Sequence, residues 1–284
     1  MTEIARLAVV GAGFMGSGIA EAVARAGIDV TVYEPTEPPL ATSRSQIEKS
    51  VGGAVKRGKL TEEEGGALQA RVSWTSDLDA IADVDMVIEA IVEDVDIKKT
   101  VFGQLDASVR PEAILASNTS SIPIAELAAA TSRADRVVGT HFFSPVPVMK
   151  LVEIVIGLDT AAETVARTEA FAARIGKTAI KTKDRSGFVV NFLLVPYLMA
   201  AVRMHEEGFA SREDIDEGMK LGCGHPMGPL TLCDFIGLDV LYSVCNSLYE
   251  EFKRDEYAPP PLLKRMVVSG HNGRKTGRGF YEYT

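Results

Sequence analysis

The chain has 284 residues, 46% of them hydrophobic and 24% charged, with a formal net charge of −9. That length predicts about two domains, each large enough for its own core. The acidic balance argues against nucleic acid or an anionic membrane surface as partner, since both need an excess of Lys and Arg. No apolar run approaches the ~20 residues of a membrane span. The first residues pass at once into a strand pattern, leaving no room for a cleaved signal, so a cytoplasmic protein is expected. Cys223, Cys233 and Cys245 lack C-x-x-C spacing. They read as buried apolar residues in a reducing compartment, and no metal site is expected.

The first predicted strand, Arg6–Val10, runs into Gly11-Ala-Gly13-Phe-Met-Gly16 and an amphipathic helix ending at Gly27. G-x-G-x-x-G between a strand and a helix has the context of a dinucleotide-binding loop. Gly11 permits the tight turn, Gly13 lets the pyrophosphate approach the backbone, and Gly16 lets helix and strand pack closely. The helix N-terminus supplies amide donors for the phosphates. Gly11, Gly13, Phe14, Met15 and Gly16 are therefore candidate cofactor contacts. The second strand, Asp29–Tyr33, leads to Glu34, 23 residues after Gly11. A carboxylate there accepts from ribose hydroxyls and repels a 2′-phosphate, which predicts NAD over NADP.

Next comes Lys49-Ser-Val-Gly-Gly-Ala-Val-Lys-Arg-Gly-Lys59, with four basic residues and no acid. Such a patch suits a multiply phosphorylated ligand and equally suits an ordinary solvated helix face. Further strands are predicted at Met86–Ala90, Ala113–Ser117, Val137–His141, Leu151–Ile156 and Lys177–Lys181, with helical stretches between most of them. The alternation implies βαβ units on a largely parallel sheet.

Inside the apolar run Leu151–Ile156 stands Glu153, twelve residues after His141 and separated from it by the turn-forming Pro145-Val-Pro147. A carboxylate in a packed strand is costly unless a partner compensates it. If the chain reverses at the prolines, Glu153 orients an imidazole that can serve as a general base near neutral pH. The pair alone fits equally a strand-edge Glu facing water and a core histidine.

At Lys183-Asp-Arg-Ser-Gly187 the pattern turns helical, placing a boundary between domains 1–184 and 185–284. Helices are expected over Phe188–Glu207, Ser211–Leu221 (capped by Ser211) and Leu230–Phe252, with Gly208 and Gly222 as terminators. Pro259–Pro261 precedes a last short helix. The fold class is thus α/β: a Rossmann-type, mostly parallel sheet followed by an all-α domain. The first C-terminal helix is apolar nearly all round, apart from Asn191, and so is expected to be buried on most sides. A domain of roughly 100 residues cannot easily surround it, which predicts a homodimer through this domain.

The dinucleotide loop, Val87-Ile-Glu-Ala-Ile-Val-Glu93-Asp, Ala116-Ser-Asn-Thr-Ser-Ser121, the His141–Glu153 stretch, Gly187-Phe-Val-Val-Asn191 and Arg274-Lys-Thr-Gly-Arg-Gly-Phe-Tyr281 occur in one order. In this the chain resembles the 3-hydroxyacyl-CoA dehydrogenase family, essentially end to end, and most of all its short single-function bacterial members. The resemblance implies NAD as cofactor and an acyl-CoA thioester, by overall likeness a short-chain one, as substrate. It implies that His141 takes the proton of the 3-hydroxyl while hydride leaves C3. Glu153 supports the imidazolium, and Ser120 and Asn191 hydrogen-bond around the reacting oxygen and thioester. Ser120 by itself also reads as the cap of a helix begun near Pro123.

Glu93, Lys98 and Lys275 match cofactor-contacting positions, although each alone reads as a solvated surface charge. Ser50 and Arg57, beside Lys56, match positions on the coenzyme A side. Where the family commonly has Asn, this chain has Ser144, which implies altered nicotinamide-side contacts and weaker cofactor binding. Two other readings are a dehydrogenase of a free hydroxy or sugar acid, such as L-gulonate dehydrogenase, and a non-catalytic dinucleotide-binding protein. The basic patch weighs against the first, and the presence of His141, Glu153 and Asn191 against the second.

Overall fold

A computed structural model describes residues 3–283. The chain divides into two compact units, with the division between Arg185 and Ser186. The N-terminal unit holds eight strands: β1 (Arg6–Val10), β2 (Asp29–Tyr33), β3 (Val72–Thr75), β4 (Met86–Glu89), β5 (Ile114–Ser117), β6 (Val137–Phe142), β7 (Leu151–Ile156) and β8 (Thr178–Lys183). Between them run α1 (Phe14–Arg25), α2 (Glu37–Lys56), α3 (Glu62–Ala70), α4 (Val95–Ser108), α5 (Ile124–Ala128) and α6 (Ala162–Arg174).

The strands form one sheet in the order β3-β2-β1-β4-β5-β6-β7-β8. All neighbours are parallel except β6 and β7, which are antiparallel. The strand order reverses between β1 and β4, the switch point at whose carboxyl edge open α/β sheets bind ligands. Helices on both faces explain why β1, β4 and β5 read as continuous apolar runs. Leu7, Val9, Met86, Ile88, Ile114 and Ala116 are all buried in the core, against Ile19 and Val23 of α1.

The sequence pattern did not reveal β3. Val72-Ser-Trp-Thr75 is only four residues long and pairs on one side, with β2. Its place is fixed by that pairing and by the capped helix α3 before it, whose Thr61 and Glu64 form a reciprocal capping box.

The second unit is helical: α7 (Val190–Glu206), α8 (Arg212–Cys223), α9 (Pro229–Ile236), α10 (Leu238–Phe252) and α11 (Pro261–Val268). Ser211 caps α8 as expected, accepting from Asp214 N at 3.1 Å. Three expectations need correction. The helix predicted over Leu230–Phe252 is two helices, because Gly237 takes φ +99°, outside the helical region. Gly222 lies within α8, and the left-handed residue that ends it is Gly224, at φ +70°. Cys223 is exposed; only Cys233 and Cys245 are buried. In α7, Val195, Leu198, Met199 and Val202 enter the helical core, whereas Leu193 is 67% exposed. Phe192, Leu194 and Tyr197 pack against that core from other sides of the helix, and Leu193, Ala200, Met204 and Glu206 are its exposed positions.

Candidate active site

The loop after β1 is shaped by its glycines. Gly11 has φ +108°, and a Cβ there would lie 2.6 Å from Ala90 O of the neighbouring loop. At Gly16 an added Cβ would stand 1.9 Å from Gly11 O, so only glycine lets α1 start this close to the strand. Over Gly13, the N-cap of α1, a Cβ would meet nothing within 4 Å. The first turn of α1 carries no acidic side chain, and Phe14 is exposed beside it. Glu34 follows β2 directly, and its Oε2 accepts from Ala12 N at 3.4 Å, so the carboxylate already faces the glycine loop. An open backbone cradle, an unopposed helix N-terminus and an acid at the end of β2 together fit a dinucleotide.

The loops after β4 and β5 stand beside it. Glu93 gathers donors on Oε1: Thr119 Oγ1 at 2.6 Å, Ser120 N at 2.9 Å, Ser121 N at 3.2 Å and Ser121 Oγ at 3.1 Å. Its Oε2 lies 3.2 Å from Lys98 Nζ. Burial by itself would raise the pKa of Glu93. The Lys98 ammonium and the hydrogen bonds from Thr119 and Ser120 outweigh it and hold the carboxyl below its ordinary range. Lys98 is no solvated surface charge, being 1% exposed, with Nζ 2.5 Å from Glu89 Oε1.

Ser120 sits in the turn that Glu93 holds, but it does not cap the following helix. Asp184 does so, accepting from Ile124 N and Ala125 N at 2.8 Å each. The short serine side chain is four residues short of α5, whereas the Asp184 carboxylate after β8 meets the first amides of that helix head-on.

His141 and Glu153 are direct cross-strand partners on β6 and β7. The Nδ1–Oε2 distance is 2.7 Å, and the two residues are 7% and 0% exposed. Of the two meanings the pair had in sequence, the water-facing glutamate is ruled out. A carboxylate can only accept, so Nδ1 carries the proton and Nε2 is the basic nitrogen. The ring of Phe143 lies 4.6 Å from the imidazole.

Sequence reasoning missed several residues that build this site. Asn118 Oδ1 accepts from Phe142 N at 2.9 Å, tying the end of β5 to the residue after His141. Lys177 donates to Val146 O at 2.5 Å and Met149 O at 2.6 Å, fixing the turn that carries Ser144 and the cis peptide bond before Pro145. Glu89 is wholly buried at the end of β4. Its signal, an acid closing the apolar run Met86–Glu89, is the one that drew attention to Glu153.

The remaining predicted residues are carried by other elements. Ser50, Lys56 and Arg57 are exposed on and just after the C-terminal half of α2, together with Lys49 and Lys59. In the helical unit, Asn191 is half-buried in the first turn of α7. Lys275 is paired with Asp239 at 2.6 Å.

A doubly wound sheet with a glycine loop at its switch point places the chain in the dinucleotide-binding class of α/β proteins. A family model described as 3-hydroxyacyl-CoA dehydrogenase, NAD binding domain, matches residues 6–185. The model for the C-terminal domain of the same family matches residues 187–283. The chain belongs to the 3-hydroxyacyl-CoA dehydrogenase family.

Among its relatives, the 3-hydroxybutyryl-CoA dehydrogenase of Mycobacterium tuberculosis is 53% identical over 282 residues, covering 99% of each chain. That of Clostridioides difficile is 43% identical, over 98% of this chain and 99% of its own. The crystal structure of M. tuberculosis FadB2 matches with a TM-score of 0.98 at 53% identity, over the whole of both chains. The (S)-3-hydroxybutyryl-CoA dehydrogenase PaaH1 from Ralstonia eutropha matches at 0.94 and 45% identity, over 99% of this chain and 100% of that one. No helix among the described residues is long and apolar enough to cross a membrane.

Proposed function

We propose that this protein is an NAD-dependent oxidoreductase that interconverts (S)-3-hydroxyacyl-CoA and 3-ketoacyl-CoA, with the short-chain substrate 3-hydroxybutyryl-CoA. The observation that carries the reading is the 2.7 Å contact of His141 Nδ1 with Glu153 Oε2 inside the sheet. It comes with a fitted dinucleotide loop in a chain 53% identical end to end with a 3-hydroxybutyryl-CoA dehydrogenase.

His141 Nε2 takes the proton of the substrate 3-hydroxyl in oxidation and returns it in reduction. Glu153 holds the ring in the tautomer that leaves Nε2 basic and stabilises the imidazolium that forms. Ser120 and Asn191 are assigned to hydrogen bonds around the reacting oxygen and the thioester. NAD, when bound, accepts hydride from C3. Gly11, Gly13, Phe14, Met15 and Gly16 would hold its pyrophosphate and Glu34 its ribose, while Glu93, Lys98, Ser144 and Lys275 are assigned to its remaining contacts. Ser144, with a shorter side chain than the amide common in the family, weakens cofactor binding. Ser50, Lys56 and Arg57 are assigned to coenzyme A, whose phosphates suit an exposed basic patch on an acidic protein.

We further assign a homodimer formed through the helical unit, supported by the exposed side of α7 at Leu193, and a cytoplasmic location, supported by three free cysteines. Light scattering at micromolar concentration tests the first: a mass of one chain would refute it. Oxidation of NADH with acetoacetyl-CoA, compared with free acetoacetate, tests the activity. Turnover of the thioester and not of the free acid is expected. Preference for the free acid would move the protein to the hydroxy-acid dehydrogenases, and failure of both would leave a binding protein.

A further inference from the structure

The mechanism above makes no use of a second fully buried carboxylate near the site. Glu89 is 0% exposed and accepts three hydrogen bonds: from Lys98 Nζ at 2.5 Å and Ile91 N at 2.7 Å on Oε1, and from Ser117 Oγ at 2.7 Å on Oε2. Two chains of contacts leave this one group and meet on one turn. Along the first, Ser117 Oγ accepts from Thr119 N at 3.1 Å. Along the second, Lys98 stands 3.2 Å from Glu93, which holds Thr119, Ser120 and Ser121. The main chain of Glu89 adds a link to the base: its carbonyl accepts from Asn118 N at 2.8 Å, and Asn118 Oδ1 accepts from Phe142 N at 2.9 Å.

We propose that Glu89 is a positioning residue of the reaction, fixing the Thr119–Ser121 turn, and with it the Ser120 hydroxyl, relative to His141. The inference rests on the 3-hydroxyacyl-CoA dehydrogenase reading of this site. The plainer role for Glu89 is to neutralise buried Lys98, and two observations go beyond it. Glu93 already stands at Lys98 as a second carboxylate. Two of the three donors on Glu89, Ile91 N just after β4 and Ser117 Oγ at the end of β5, are uncharged groups at the base of the two loops. Charge-assisted hydrogen bonds in a dry setting are short and directional. A lysine side chain is flexible, with several rotatable bonds, and needs such an anchor to hold one position.

Glu89→Gln keeps the shape but sets an N–H against a donor, so it loosens both chains. Lys98→Met removes the ammonium, and the double variant leaves neither charge of the buried 89–98 pair, while Glu93 keeps its donors from Thr119, Ser120 and Ser121. Full-length proteins are assayed with acetoacetyl-CoA and NADH, and their Tm values are compared. Glu89→Gln is expected to lower kcat on the order of tenfold to a hundredfold, as misplacement of a reacting group does, and to lower Tm. The double variant should regain Tm and not kcat.

Ser117→Ala breaks the first chain while keeping the ion pair intact. It is expected to lower kcat severalfold, which keeps the test open should Glu89→Gln not fold. Wild-type kcat in Glu89→Gln or in Ser117→Ala, or recovery of both kcat and Tm in the double variant, would overturn the proposal. A wild-type protein inert towards acetoacetyl-CoA would instead count against the functional reading.

Discussion

Each unit of the protein gathers donors around a pair of carboxylates, fully buried Glu89 with more exposed Glu93 in the first and buried Asp216 with Asp234 in the second, and the two pairs are satisfied in opposite ways. In the N-terminal unit, Glu89 and Glu93 share the Lys98 ammonium between the loops after β4 and β5. In the helical unit, Asp216 accepts from Leu230 N at 2.8 Å, Thr231 N at 3.0 Å and Tyr281 Oη at 3.0 Å. Asp234 there accepts from Phe280 N, Tyr281 N and Tyr283 Oη, each at 2.9 Å. The effect on ionisation differs accordingly. Burial raises both Glu93 and Asp234, but Lys98 and the loop donors bring Glu93 below its ordinary range. Burial aided by the charge of Asp216 outweighs the amides and hydroxyl at Asp234, leaving it raised. A cation suits a place where ligand charge comes and goes; neutral donors suffice where a carboxylate only pins a chain segment, here the C-terminal tail to α9.

The comparison predicts that damage in the first unit shows in turnover and damage in the second in stability. The largest effect is expected for His141→Ala, with turnover of acetoacetyl-CoA falling about a hundredfold or more while NADH binding, read by fluorescence, stays near wild type. Near-normal turnover would remove the base assignment. Asp234→Ala strands three donors and should cost about 2 kcal/mol of stability in urea unfolding, with kcat changing less than about twofold. A large loss of kcat without loss of stability would blur the division. Glu34→Gln should narrow the preference for NADH over NADPH severalfold, because a carboxylate no longer opposes the 2′-phosphate; an unchanged ratio would end its ribose role.

The smallest effects concern pH. The ordinary value for Glu93 is 4.5, and its folded value is lower, so its contribution to stability is full above about pH 4.5 and is lost as pH falls through the folded value. Asp234 starts from 3.8 and is raised on folding, so the sign reverses: its contribution is present below about pH 3.8 and fades as pH rises through the folded value. Urea midpoints of Glu93→Gln and Asp234→Asn against wild type from about pH 3 to 6 should therefore diverge in opposite senses. Parallel curves would show that the two pairs are alike after all.

Much of the first unit was legible because its signals are local. Glycines at 11, 13 and 16 lie within one turn of chain, and the apolar run around Glu153 made a lone carboxylate conspicuous. Glu89 carries the same signal in a shorter run, where four residues of strand leave little contrast. Lys98 looked like surface charge because helix α4 shows a polar face in sequence; only its packing against the ends of β4 and β5 puts Nζ out of water. The single helix expected over Leu230–Phe252 failed at Gly237, where composition permits a helix and the backbone turns away from one.

By itself the sequence determined which residues can bind phosphate, take a proton or carry a buried charge, since those capacities belong to residue types and their spacing along a few turns. It determined the alternation of strand and helix for the same reason. Tertiary structure decided the partners: Glu153 for His141, Glu89 and Glu93 for Lys98, Asn118 for the backbone beside the base, Asp184 for α5. Each of those pairs joins separate strands, helices or loops, and what selects them is the register of the sheet, the packing of helices on it and the exclusion of water, none of which is written at any one position of the chain.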